Sequence, residues 1–372
     1  MEFKLNKKEF YQAIQSIVGV VPTKTTIPIL SHLLLDVTDS ELTLTGTDLE
    51  VSISTRIPVQ AERGGAVAVP GKILFEIVRE LPEIPIEFSC DEEFKVVLHT
   101  EKGFYRLSGQ PKEEFPKIAV EESKCAFSLD TDRLVNMINK TIFAVSTDEL
   151  RTTLTGVYLK ASENEVRMVS TDGHRLSKII DKSFNSPGVE GQSIIPTKAL
   201  NLVLKNCQNT DTVNIKLTDD HIVFEMDNTV IYSKGIEGQF PNYERVIPVD
   251  NDKRMVVNRD LLSASVRRVA IFSNTITNQI RMSLSANKVD IQSEDIEFGG
   301  EARETVESEY RGPDLEIGYN ANYLLDILRH VDTDEVIFEL KDPTSAALIY
   351  PSVQNEDEDL LMLLMPIRLN ED

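Results

Sequence analysis

One order of segments occurs three times along the chain, spaced at about a third of its 372 residues. Such a period requires a repeat architecture, in which each copy contributes the same elements to a larger assembly. The first copy opens at Phe3 and passes through an amphipathic stretch, Lys7 to Val18. Two alternating runs follow, Leu33 to Val37 and Leu42 to Gly46, and it closes on Thr47-Asp48-Leu49-Glu50. The second gives Phe127 to Leu129, Asp130 to Val145, Gly156 to Ala161, Glu165 to Ser170 and Thr171-Asp172-Gly173-His174. The third gives Met255 to Val257, Arg259 to Phe272, Arg281 to Ser285, Lys288 to Ser293 and Glu294-Asp295.

Each third also repeats within itself. Val67 to Pro70 leads into Gly71 to Leu81, Ser193 to Pro196 into Thr197 to Cys207, and Leu315 to Gly318 into Asn320 to Val331. Short alternating runs come next, at Ile86 to Phe88, Val213 to Ile215 and Val336 to Phe338. The unit is strand, helix, strands, six times over. Helices are predicted from a 3.6-residue period, as in the stripes Ile73, Leu74, Ile77, Val78, Leu81 and Leu261, Leu262, Val266, Val269. Strands are predicted from alternation and from turn pairs such as Asp172-Gly173, which reads as a type I′ hairpin turn.

The expected fold is therefore α+β, with three repeated domains at 1–120, 121–250 and 251–372, each made of two strand-helix-strands units. The joins are charged, Pro-containing stretches read as extended linkers, one opening at Glu114-Phe115-Pro116-Lys117 and one at Gln239-Phe240-Pro241-Asn242. Six units in register predict a curved sheet with all helices on one side, an arc or half of a ring with helices inside and sheets outside.

Composition narrows the functional classes. With 41% apolar residues the chain can bury real cores, and no apolar run approaches the roughly 20 residues of a membrane span. The N-terminus has charges of both signs where a secretory signal needs an apolar block, so a cytoplasmic protein with no membrane partner is expected. Cys90, Cys125 and Cys207 are odd in number and far apart, against a disulfide framework, and no histidine pair has metal-ligand spacing. Neither a metal nor a cofactor is expected. Gly65 to Lys72 resembles a phosphate loop, but its spacing is one residue too long and Ile73 stands where Ser or Thr is needed.

A net charge of −22 argues at first against a nucleic-acid partner. The distribution argues otherwise. The six helical stretches hold 12 basic and 7 acidic residues, a net of +5, which leaves −27 for the remainder. Lys72 and Arg79, Arg133 and Lys140, and Lys198 and Lys205 lie seven apart, close to two helical turns, so each pair shares a face. For one helix such cations are simply the solvated side; a net positive sum over six helices, none of them net negative, predicts a basic lumen making sequence-independent phosphate contacts.

At this point the chain resembles the bacterial DNA polymerase III beta subunits, the replicative sliding clamps. The resemblance rests on the threefold repeat and on Ile27-Pro28-Ile29-Leu30, Gly46-Thr47-Asp48-Leu49-Glu50, Thr171-Asp172-Gly173-His174-Arg175-Leu176 and Met365-Pro366-Ile367-Arg368-Leu369. It implies a non-catalytic processivity factor: a head-to-tail homodimer ringing duplex DNA and tethering the replicative polymerase. It also implies an ATP-driven clamp loader, and other polymerases and repair proteins docking through short Leu- and Phe-containing peptides. The implied peptide pocket, between the second and third domains, uses Leu154, Thr171, Gly173, His174, Arg175, Leu176, Pro241, Arg245, Val246, Tyr323, Leu363, Met365, Pro366 and Arg368. Implied DNA contacts are Lys24, Lys72, Arg79 and the region Asp148 to Thr153, although Asp148 and Glu149 are acidic and Thr152 and Thr153 stand where some relatives carry tyrosines. The implied dimer contact joins Tyr105 and Leu107 to Ile271 and Phe272 of the second copy. The chain also runs three residues, Asn370 to Asp372, past the family's usual end.

Two other readings compete. A hydrolase with His174 as general base and Asp172 orienting it is the first, but no GxSxG nucleophile elbow occurs. A repeat-built scaffold binding partner peptides without holding DNA explains the repeats equally well but not the segregated charge. Met362 to Met365 serve either as core or as binding surface, on alternate faces.

Overall fold

The computed structural model describes residues 1–118, 122–295 and 299–369. Among them are six α-helices, each entered directly from a strand: α1 (Lys7–Ile17), α2 (Gly71–Glu80), α3 (Thr131–Thr141), α4 (Thr197–Asn206), α5 (Arg259–Val269) and α6 (Ala321–Arg329). The residue before each helix is Asn6, Pro70, Asp130, Pro196, Asn258 or Asn320, and of these Asp130, Asn258 and Asn320 cap the helix with a side-chain oxygen. The Asn258 carboxamide accepts from Leu261 N, Asn320 from Asn322 N and Tyr323 N, and Asp130 from Arg133 N. Each such cap satisfies a donor the helix cannot, a gain of about 1 kcal/mol.

The expected helices at 130–145 and 258–272 end sooner, because the chain tightens into the 3₁₀ turns Ile142–Ala144 and Ala270–Phe272. Two stripe residues also differ from expectation. Leu74, Val78 and Leu81 are buried while Ile73 is 49% exposed, and Leu262, Val266 and Val269 are buried while Leu261 is 58% exposed. Ile73 and Leu261 each sit one residue, or about 100°, off the central i, i+4, i+7 line.

Packing divides the chain into two compact units, 1–134 with 195–235, and 135–194 with 236–372. The first unit contains a five-stranded sheet ending at the edge strand Gly103–Ser108 and an eight-stranded sheet. In the latter, Thr229–Lys234 pairs antiparallel with Val51–Pro58, in register Ile231 with Ile53, joining strands of the first and second repeats. The second unit is built on a twelve-stranded sheet in which Arg175–Asp181 pairs with Glu358–Leu364, register Leu176 with Leu363, joining the second and third repeats in the same way.

The two joins are less extended than the sequence suggests. Phe115 is 4% exposed, and Lys112–Glu114 forms a 3₁₀ turn. In the other join Phe240 and Tyr243 are buried and Tyr243–Val246 forms a 3₁₀ turn. Aromatic residues in a charged stretch bring it down onto the sheet. The expected boundary at 120/121 and the Asn370–Asp372 extension lie outside the described residues.

Candidate functional site

Within the second unit, buried Val169, Leu176, Ile194, Phe240, Tyr243, Ala346, Leu348 and Leu363 form one apolar cluster, with Leu154, Tyr158, Ile236, Ile247, Tyr350 and Leu361 packed on it. Strand alternation puts these side chains on a common face: Val169 is two residues from Thr171, and Leu176 pairs with Leu363. Burying such side chains contributes about 1.5–3 kcal/mol each. At its margin Val246 remains 57% exposed and Met365 41% exposed, next to Ile247 and Leu364. Large apolar surface left open beside a formed core is what an incoming apolar side chain needs.

The loop between Glu165–Thr171 and Arg175–Asp181 borders this cluster. It is not a type I′ turn: Gly173 alone has a positive φ, 89°, whereas that turn needs two such residues. The side chains of Thr171 and Asp172 replace backbone turn bonds instead. Thr171 Oγ1 donates to Arg175 O and accepts from Gly173 N, and Asp172 Oδ1 accepts from both His174 N (2.9 Å) and Arg175 N (3.0 Å). The second carboxylate oxygen accepts from Arg175 Nε at 3.1 Å, so Asp172 is committed to backbone and guanidinium and does not orient the His174 ring.

Arg175 is the electrostatic centre of the site. Its side chain is 9% exposed, yet every face is matched. It donates to Asp172, to Asp326 Oδ2 at 2.6 Å and to the Phe143 carbonyl at 2.8 Å, and lies 4.6 Å over the Tyr323 ring and 5.4 Å from that of Phe143. Tyr323, whose hydroxyl pKa burial pushes up, also packs against His174 with ring centroids 6.1 Å apart. His330 stacks on Phe143 at 4.1 Å and bonds the Asp326 carbonyl; burial lowers its pKa. Arg167 anchors the other border, donating to Glu244, to the Tyr243 hydroxyl and to Glu165; burial works to lower its pKa, and the bonds to Tyr243 and Glu165 outweigh it and raise it.

Of the fourteen expected pocket residues, Leu154, Leu176 and Leu363 meet in the cluster, while His174, Arg175 and Tyr323 form one stack with Thr171 and Gly173 in its turn. Met365 N donates to His174 O, which brings Met365 and Pro366 to that loop. Pro241, Arg245 and Val246 are exposed in the segment that carries buried Phe240 and Tyr243, and Arg368 is exposed near the chain's end. Met362, Leu363 and Leu364 are buried, so only Met365 of that run faces outward. Sequence reasoning missed Ile247, Ala346 and Leu348, which carry no motif, Phe143 and Asp326, which reach Arg175 only through folding, and His330, which packs on Phe143 behind them.

The candidate phosphate contacts fall into two groups. Lys24, Lys72, Arg79 and Arg133 are exposed, with Arg79 bonded to neighbouring Glu80. Lys140, Lys198 and Lys205 depart from the expected open basic face. The Lys140 side chain is only 6% exposed and donates to Asp332 and the His330 carbonyl. Lys198 bonds Asp48 and the Val20 carbonyl, and Lys205 bonds the Gln15 carbonyl, its pKa lowered by burial. The seven-residue spacing does put Lys198 and Lys205 on one side of α4, but that side meets the first repeat. Tyr105 and Leu107 lie on the edge strand Gly103–Ser108, and Ile271 and Phe272 are 77% and 42% exposed in a 3₁₀ turn.

Comparison with known proteins matches the chain in three consecutive blocks: the N-terminal domain of the DNA polymerase III beta subunit at residues 1–119, its central domain at 128–242 and its C-terminal domain at 244–368. The beta sliding clamp of Chlamydia pneumoniae is 32% identical over 377 residues, covering all of both chains. The Pseudomonas aeruginosa sliding clamp, solved bound to griselimycin, superposes with a TM-score of 0.94 at 34% identity over 99% of this chain and all of that one. The Thermotoga maritima DNA polymerase III beta subunit superposes at 0.91 with 26% identity, again over 99% of this chain. With three family blocks filling the chain and relatives matched end to end, the chain belongs to the DNA polymerase III beta subunit family, the beta sliding clamps.

Proposed function

We propose that this chain is a DNA sliding clamp: a non-catalytic processivity factor whose three domains, at 1–120, 121–250 and 251–372, form half of a ring closed head to tail by a second copy around duplex DNA. Retention is then topological. A closed ring cannot leave a circle without opening, so weak, sequence-independent phosphate contacts suffice and sliding stays free. Lys24, Lys72, Arg79 and Arg133, all exposed, are the proposed contacts, Arg79 beside its sequence neighbour Glu80; Lys140, Lys198 and Lys205 are set aside because they tie their helices to distant elements, at Asp332, Asp48 and the Gln15 carbonyl. The proposed ring closure adds Ile271 and Phe272 of one copy to the edge strand holding Tyr105 and Leu107 in the other. Apolar side chains left exposed on both surfaces support it, Phe104 and Tyr105 on the edge strand and Ile271 and Phe272 in the 3₁₀ turn.

The apolar cluster bordered by the Arg175 loop carries the functional reading. The fourteen expected pocket residues, from Leu154 to Arg368, at and around that cluster are the proposed dock for short peptides with Leu and Phe anchors, from the replicative polymerase, the loader and other replication and repair proteins. Two such docks per dimer would let partners exchange or bind together. Opening the ring falls to an ATP-driven loader, and the cytoplasm is the proposed compartment; among the described residues no helix is long and apolar enough to cross a membrane.

The test is retention on nicked circular DNA after loading, against the same DNA linearised, in moderately high salt. Persistence on the circle with run-off from the linear form is expected. Equal loss from both would sink the ring and favour a scaffold.

A further inference from the structure

Resting on the pocket reading above, we infer that Gly318 is a positioning residue that sets the seat of the C-terminal wall of the pocket, Met365 to Arg368. Gly318 lies in Leu315–Asn320, the edge strand of the twelve-stranded sheet, paired with Arg281 on one side. On its other side the chain's end crosses it, in an isolated antiparallel bridge to Ile367 with Ile367 N donating to Gly318 O at 2.8 Å. Two residues earlier, Met365 N donates to His174 O, also at 2.8 Å. The wall thus hangs between two carbonyls, one from the pocket loop and one from this strand, with Pro366, which has no N–H, between them.

The glycine is required by what lies over it. Its φ is not in the left-handed region, so the backbone accepts any residue, and strands favour larger side chains. A Cβ at 318, however, would stand 2.6 Å from Ile367 O and 2.8 Å from Leu369 Cδ2. Leu369 can turn aside. The Ile367 carbonyl cannot move without the backbone that carries Met365, Pro366 and Arg368. A methyl group at 318 therefore lifts the wall, breaks the Ile367 bond and leaves the sheet's own pairing to Arg281 intact.

The experiment compares wild type with Gly318→Ala and, from the other side of the contact, Leu369→Ala, which removes the half-buried side chain lying on the glycine. The readouts are affinity for a fluorescein-labelled synthetic peptide carrying adjacent Leu and Phe, amide hydrogen exchange at Ile367, and retention on circular DNA. Gly318→Ala is expected to weaken the peptide about tenfold, the size of one lost wall contact, and to speed Ile367 exchange comparably, with retention unchanged. Leu369→Ala shifts the same two readouts in the same direction. Wild-type peptide affinity and Ile367 exchange in both variants overturns the inference. Failure of the wild-type protein to bind the peptide instead overturns the pocket reading, and the exchange readout still decides whether Gly318 seats the wall.

Discussion

The first and second repeats contain the same turn, and comparing the copies separates what the turn needs from what its surroundings use it for. In the second, Thr171 Oγ1 bonds Arg175 O and Gly173 N, and Asp172 Oδ1 takes the next two amides. In the first, Thr47 Oγ1 bonds Val51 O and Leu49 N, and Asp48 Oδ1 takes Glu50 N and Val51 N. Bond for bond the two agree. Even the left-handed position is shared, at φ 89° for Gly173 and 80° for Leu49. What differs is the outward connection. Asp48 reaches Lys198 of α4, a pair whose lysine is 43% exposed; Asp172 reaches Arg175, which passes the connection on to Asp326 of α6 almost out of solvent. In the third repeat the described residues Lys288–Asp295 run on as a strand, with Glu294 opposite Glu301.

The largest test of that contrast is to remove each cation. Arg175→Ala leaves Asp172 Oδ2 and the Phe143 carbonyl without their guanidinium donor and leaves Asp326, 32% exposed, to Arg329 alone, and should cost about 3 kcal/mol. Lys198→Ala, at a solvated pair, should cost about 0–1 kcal/mol. Urea unfolding of the two variants checks this, and equal losses would show that the ties are equivalent. Peptide affinity should fall with Arg175→Ala and hold with Lys198→Ala.

Exchanging the left-handed residues is a finer probe. Gly173→Ala places a Cβ at positive φ and 3.2 Å from Arg151 Nη1, and should destabilise by about 1 kcal/mol. Leu49→Gly relieves the same strain and should stabilise by up to about 1 kcal/mol. Thermal midpoints moving in opposite directions confirm that both turns are held in one conformation; a destabilising Leu49→Gly would mean the half-exposed leucine has a packing role.

The smallest expected effect is on pH. Burial, with Lys140 and Arg329 nearby, depresses the His330 pKa below its ordinary 6.5 against the opposing pull of the Asp326 carbonyl and carboxylate. A depressed histidine contributes stability that is fully present above pH 6.5 and is lost as pH falls through the lower folded value. Hydrogen exchange around Phe143 and Arg175 should therefore quicken between pH 7 and pH 5, with no matching change at Asp48. His330→Asn should flatten the profile, and an unchanged slope would assign the loss to another group.

The repeat and the order of strands and helices were legible because period and alternation are local; the place of the Asp172-Gly173 turn was legible but its type was not, since only Gly173 has a positive φ and the Thr171 and Asp172 side chains take the turn bonds. Most of the pocket was legible too, but through the resemblance of whole motifs. Its apolar floor was only partly so, since Ile247, Ala346 and Leu348 look like any strand or linker residue until the sheet gathers them. The lysines show the limit most clearly. Spacing alone put Lys198 and Lys205 on one face of α4; nothing in the sequence says that the Asp48 carboxylate and the Gln15 and Val20 carbonyls already occupy that face.

The sequence by itself thus determined the elements and their order, because helix period, strand alternation and capping act over a few residues. Only the tertiary structure decided which charges are spent internally, that Arg175 is buried between two aspartates, and that Gly318 lies beneath the end of the chain. Those facts depend on contacts between residues 30 to 180 positions apart, whose energies exist only once the sheets have closed.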